Sequence, residues 1–179
     1  MQLEDWATKN RTIKVMLSFR YTLRVLASVL RDDESLKQFL DTVPYMRKVF
    51  LVAEEMTDLE VVANCMKIFR LSLRTDWSQD QVLLRFPNLL NFILFLLNKY
   101  ATTTPIVSEG LVALRSVSKK TAYTSLIKKE SLNTFQKLTN MQHVPQNESH
   151  LSHIIKNLNK NPALSTHLQG MALGKYMKP

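Results

Sequence analysis

The chain has 179 residues, 45% of them hydrophobic, and a formal net charge of +9. That length and apolar content exclude a disordered tail and fit one domain with a sizeable core. With three glycines, six prolines and one cysteine, a turn-rich β fold is disfavoured and an internal disulfide framework is excluded.

The lone Cys65 suits a reducing compartment, so an intracellular place, cytoplasm or nucleus, is expected. MQLEDWATKN carries acids and no apolar run, and does not read as a secretory signal. The most apolar window, Phe86–Leu97, is too short to span a bilayer and contains Asn88 and Asn91. Charge is uneven: residues 1–98 hold 13 basic and 12 acidic residues, residues 99–179 hold 11 and 3. The second half is the part that attracts an acidic partner.

In chain order, residues 1–10 read as an N-terminal extension, frayed or forming a partial turn. A helix is predicted from Thr12 to about Arg31, with Ile13, Met16, Leu17, Leu23, Leu26, Val29 and Leu30 inward and Arg20 as a polar interruption. Asp32-Asp33-Glu34 stops it and charges the start of a short helix over Ser35–Asp41. Pro44 opens a third, with Met46, Val49, Phe50 and Ala53 inward. Thr57-Asp58-Leu59-Glu60 reads as a capping box for a long helix through Val62, Cys65, Met66, Phe69 and Leu73. Thr75–Ser78 is the next turn, Gln79–Arg85 a short helix, and Pro87 opens an apolar helix to Tyr100.

Pro105 then leads into a long helix with Ile106, Gly110, Leu111, Leu114 and Val117 at helical spacing. Lys119-Lys120-Thr121 breaks it, and Tyr123, Leu126 and Ile127 share the face of a short run. Ser131–Gln142 is a helix, His143–Ser149 a polar loop, Leu151–Lys160 a helix, Asn161-Pro162 a break and Ala163–Gln169 a last short helix. Residues 171–179 read as a loosely held C-terminal tail, leaving residues 11–170 as a single repeat domain.

The elements recur. Leu26, Phe69 and Leu114 stand 43 and 45 residues apart. Arg31, Arg74, Lys119 and Lys160 keep one register at 43, 45 and 41. Val43-Pro44 returns as Phe86-Pro87, 43 residues on. A three-helix unit of this length is the armadillo/HEAT class.

The segments Val43-Pro44-Tyr45-Met46 and Phe86-Pro87-Asn88-Leu89-Leu90 resemble the armadillo junction where a short first helix meets the second at a proline. Leu111–Ser118 resembles the end of its third helix. The resemblance spans roughly residues 12–170. It implies an all-α fold, a right-handed superhelical solenoid of about three three-helix repeats with partial end repeats. The family's glycine before the proline is missing, with Thr42 and Arg85 nearby instead, so a HEAT-like assignment stays open. Armadillo importins line the third helices with Trp and Asn. The corresponding places here are Arg24, Lys67, Val112 and His153 for Trp, and Ser28, Leu71, Ser116 and Asn157 for Asn. A groove carrying Arg24 and Lys67 does not receive basic peptides, which excludes the importin role.

In such a solenoid the third helices line a concave face. That face would offer Arg24, Arg31, Lys67, Arg70, Arg74, Arg115, Lys119, Lys156 and Lys160. The ladder Arg31, Arg74, Lys119, Lys160 can pair with successive acids of a partner segment. The same four can instead serve the last carbonyls of their helices. Cys65 lies in an apolar pattern and reads as core. His143, His150, His153 and His167 cluster in sequence without the spacing of a metal site. Neither a Gly-x-Ser-x-Gly elbow nor a glycine-rich phosphate loop occurs. Trp6 and Trp77 lie at turns or ends, where one reads as a lid on the core and the other as a surface anchor.

The expectation is therefore a non-catalytic scaffold or adaptor without cofactor, binding an acidic or amphipathic segment of a partner protein along a basic groove. Nucleic-acid binding by the basic half is the second reading. Self-association, or contact with a larger chain, is expected at an open C-terminal end.

Overall fold

Local capping chemistry sets where the helices begin. The Ser35 N–H donates to Asp32 Oδ2 at 2.8 Å. Thr75 and Ser78 cap each other reciprocally, each backbone N–H donating to the other's hydroxyl at 3.2 Å. The Ala163 N–H donates to Asn161 Oδ1 at 3.1 Å. Pro44, Pro105, Pro145 and Pro162 sit in first turns, where a missing N–H costs nothing.

The computed structural model describes residues 2–171 with Leu173 and Tyr176, and side chains from Lys14 onward apart from Val43. The helices are α1 (Gln2–Val29), α2 (Asp33–Asp41), α3 (Val43–Glu55), α4 (Leu59–Ser72), α5 (Asp76–Arg85) and α6 (Leu89–Lys99). Then come α7 (Thr104–Val117), α8 (Thr121–Thr124), a 3-10 turn (Lys129–Leu132), α9 (Asn133–Thr139), α10 (Pro145–Leu158) and α11 (Pro162–Gln169). Among the described residues there are 11 α-helices and no strand, so the fold is all-α. The ends of α1, α4, α7 and α10 fall 43, 45 and 41 residues apart, and so do the starts of α2, α5, α8 and α11.

Several boundaries differ from the sequence reading. α1 begins at Gln2 rather than Thr12, because a polar run without apolar spacing can still be helical. Asp58, not Thr57, takes the N–H of Val61, at 3.0 Å. The polar stretch 146–149 is the first turn of α10, opened by Pro145, rather than a loop. Leu17 and Val29, expected inward, are 42% and 49% exposed. Ile13 and Trp6 lie outside the described side chains, as does most of the tail. Leu173 and Tyr176 of that tail are buried rather than loosely held.

The chain divides within α4 into two compact units, residues 1–68 and 69–179. In the first, Leu23 and Ala27 of α1, Leu30 just past its end, Leu36 and Leu40 of α2, and Met46, Val49 and Ala53 of α3 are buried. Arg20 is more than an interruption of the α1 pattern. Its guanidinium grips both oxygens of Asp58 and reaches Glu60 at 3.4 Å, tying α1 to the start of α4. That bond, with the N–H of Val61, holds the Asp58 carboxyl below its usual range. Cys65 is fully buried, and burial pushes its thiol up to about 12.

The second unit is built on α6. Leu89, Leu90, Ile93, Leu94, Leu96 and Leu97 are all fully buried, each contributing about 2 kcal/mol by area removed from water. α7 packs on α6 and on α10, and α9 packs on α6 and α10. Gly110 permits the α6–α7 approach, since a Cβ there would lie 2.7 Å from Leu97 Cδ2. Polar stitches join neighbouring helices across this unit. Asn91 donates to the Leu126 carbonyl at 2.9 Å and accepts from the Lys128 N–H at 2.8 Å. Thr134 donates to the Leu94 carbonyl at 3.3 Å, and Lys137 to that of Asn98 at 2.7 Å. These partners are 35 to 40 residues apart in sequence.

Candidate functional site

Each rung of the basic ladder stands two residues past the end of a long helix: Arg31 after α1, Arg74 after α4, Lys119 after α7, Lys160 after α10. In the second unit the three turns concerned lie side by side. The Leu73 carbonyl accepts from Ser116 Oγ at 2.8 Å, joining the turn after α4 to the end of α7. Ser118 Oγ accepts from Asn157 Nδ2 at 3.2 Å, joining the end of α7 to that of α10. Gln79 Nε2 also donates to the Leu73 carbonyl, at 2.9 Å. The late carbonyl of Leu73 is thus served by neutral side chains.

Arg74 is half-buried, while Lys119 and Lys160 are exposed on this row. Lys160 reaches Asn157 Oδ1 at 3.4 Å, a long and weak contact. Lys156 is exposed one helical turn before Lys160. The charge balance follows the units closely. Residues 1–68 hold 10 basic and 10 acidic residues, and residues 69–179 hold 14 and 5, so the whole net charge belongs to the second unit.

The other candidates divide. Arg24 and Arg31 are exposed and Lys67 half-buried; the turns beside the row belong to the second unit. Arg70 is bound by Glu109 of α7, each about a quarter exposed (27%). Arg115 Nη1 donates to His150 Nδ1 at 2.8 Å. Because an arginine only donates, Nδ1 must accept and the proton sits on Nε2. That Nε2 is buried without a hydrogen-bond partner.

Burial first, then the Arg115 charge and His153, push the His150 pKa below its ordinary 6.5. A depressed histidine favours the fold fully above the unfolded value and loses that share as pH falls, since the unfolded chain takes up a proton that the native ring refuses. Urea midpoints measured from about pH 7.5 down to about 5 are therefore expected to fall once pH passes about 6.5, and His150→Gln is expected to flatten part of that slope. An unchanged slope in the variant would assign the pH dependence elsewhere.

Sequence reasoning missed a second cluster. Lys120 Nζ lies 3.0 Å from Asp76 Oδ1, and 3.3 Å from the Tyr123 hydroxyl. Tyr123 donates to Asp80 Oδ1. Lys120 also sits 4.9 Å above the Tyr123 ring. The period itself was the available signal, because Asp80 and Tyr123 are one 43-residue step apart. Adjacent Lys119 and Lys120 consequently have different roles, one exposed on the row and one tying α8 to α5.

His143 contacts the Leu138 carbonyl at 2.8 Å and His153 that of Ser149 at 2.9 Å. Among the described residues, His, Cys, Asp and Glu do not gather in groups of three or more that could hold a metal ion. Nor is any single described helix long and apolar enough to cross a membrane; α5 and α6 reach that length only together, across a 90° bend.

The class that the structure defines is all-helical protein. No family model, curated protein or solved structure matches the chain.

Proposed function

We propose that the chain is a non-catalytic interaction module, a helical-repeat scaffold or adaptor of the armadillo/HEAT kind working inside the cell. Its occupant is an acidic or amphipathic segment of a partner protein, laid along the basic row of the second unit. The observation that carries this reading is the row itself: Arg74, Lys119 and Lys160 on turns bonded side by side, in a unit with 14 basic against 5 acidic residues. Support for the repeat architecture comes from the recurring helix order and from stitches offset by one period. In a solenoid each repeat touches only its neighbours, and such an offset is the expected sign.

At the turn after α4 the Leu73 carbonyl is served by Ser116 and Gln79, and the cations of the row can serve the last carbonyls of their helices as well as a partner. The concentration of charge also favours a second reading, in which the row meets nucleic-acid phosphates.

Fluorescence anisotropy with a labelled glutamate-rich helical peptide and with a single-stranded RNA oligonucleotide tests both. The combined variant Arg74→Glu, Lys119→Glu, Lys160→Glu, shown folded by circular dichroism, is expected to bind the peptide at least about tenfold more weakly. Unchanged peptide binding would reduce the row to capping chemistry. RNA binding tighter than peptide binding, with a steep salt slope, would replace the protein partner by nucleic acid.

A further inference from the structure

In the first unit, α1 carries a second pattern that its core contacts do not use. Val15, Phe19, Thr22, Leu26 and Val29 follow one another at alternating steps of four and three. That spacing is the seam along which one helix receives another. The seam is not closed over: Val15 is 46% and Val29 49% exposed, Thr22 is exposed, and Phe19 and Leu26 are half-buried.

Facing it across a groove of about 340 Å³ is α3, with Tyr45, Val49 and Val52 at matching helical steps. The Tyr45 ring is 50% exposed and stacks on Phe39 of α2, centroids 6.2 Å apart. It is therefore an aromatic anchor held in place before anything docks. Among the described residues lining the groove, Lys48 is the one charged side chain.

We infer that this groove receives an amphipathic partner helix whose apolar residues follow an i, i+3, i+4, i+7 stripe and which places a carboxylate opposite Lys48. Two observations select a helix of that chemistry. In the second unit the long helices α7 and α10 each pack on the helix preceding them, α6 and α9, the first through its buried leucines and the second through Phe135 and Leu138. The α1 seam offers an incoming helix a long-helix face of the same kind. The otherwise apolar lining then leaves Lys48 to fix polarity and register, because an acid opposite it is the only charge match available. This surface is separate from the basic row, and the inference does not depend on it.

The probe is a stapled 15-residue helix with a leucine stripe, glutamate flanks and one benzoyl-phenylalanine, titrated against the full chain. A scrambled version keeps the composition without the stripe, and a third carries lysine flanks. The expected result is saturable micromolar binding, cross-links confined to α1 and α3, and at least about tenfold weaker binding of the scrambled helix. Val29→Glu and Tyr45→Ala alter half-exposed side chains, so both variants should fold and both should weaken binding by a similar factor. Lys48→Glu should invert the preference between glutamate and lysine flanks. The variant reversed at Arg74, Lys119 and Lys160 should bind like the parent.

Absent saturation, cross-links in residues 69–179, or binding untouched by Val29→Glu would overturn the inference. So would sedimentation showing that the chain alone dimerises and that Val29→Glu separates the copies, since a second copy would then fill the groove.

Discussion

Phe135→Ala is expected to cost about 3–5 kcal/mol of folding stability. Phe135 is fully buried on α9, a helix of only seven residues that packs against α6 and α10. So short a helix has little intrinsic stability and holds its shape through what it buries. Removing the ring deletes its transfer free energy, and the close-packed leucines of α6 leave little room to collapse into the void. With a urea slope of about 2 kcal/mol per molar, the midpoint should drop by about 2 M. A drop below about 0.5 M would show that α9 does not depend on this ring.

Asn161→Ala is the second large loss, about 2–3 kcal/mol, and it tests a polar joint rather than a packed one. Asn161 is 3% exposed. Its amide donates to Thr124 Oγ1 at 2.9 Å and to Ser125 Oγ at 3.3 Å, while its oxygen takes the Ala163 N–H. One side chain therefore caps α11 and fastens it to the end of α8. Asn161→Asp keeps the capping oxygen and loses the donor, so it should recover about 1 kcal/mol of the loss. Hydrogen exchange should show the α11 amides losing protection first. If aspartate restores nothing, the cap contributes little and the joint to Thr124 carries the effect.

The helical order was legible because its signals are local. Asp32, Pro44, Thr75, Pro105 and Pro162 each act within one turn of the chain. The register of Arg31, Arg74, Lys119 and Lys160 was legible for the same reason, since each follows a helix end. Pairings were not legible. Arg20 read as a flaw in an apolar pattern, yet its partner Asp58 lies 38 residues away. Arg70 and Arg115 read as groove cations, although Glu109 and His150 engage them through packing that spacing alone does not specify. Leu17 and Val29 were assigned inward because an apolar residue at helical spacing reads as core whether its face meets this chain or another.

Cys65 is the one cysteine of the chain, and it lies fully buried in α4. With its thiol held near 12, almost none of it is thiolate at neutral pH, and alkylating reagents meet neither a nucleophile nor an open path. Any modification must wait for the surrounding helices to part. The rate at which a thiol reagent consumes the protein therefore times that opening in the natural chain, without an introduced probe. An interaction that holds α4 in place should lengthen the interval between openings.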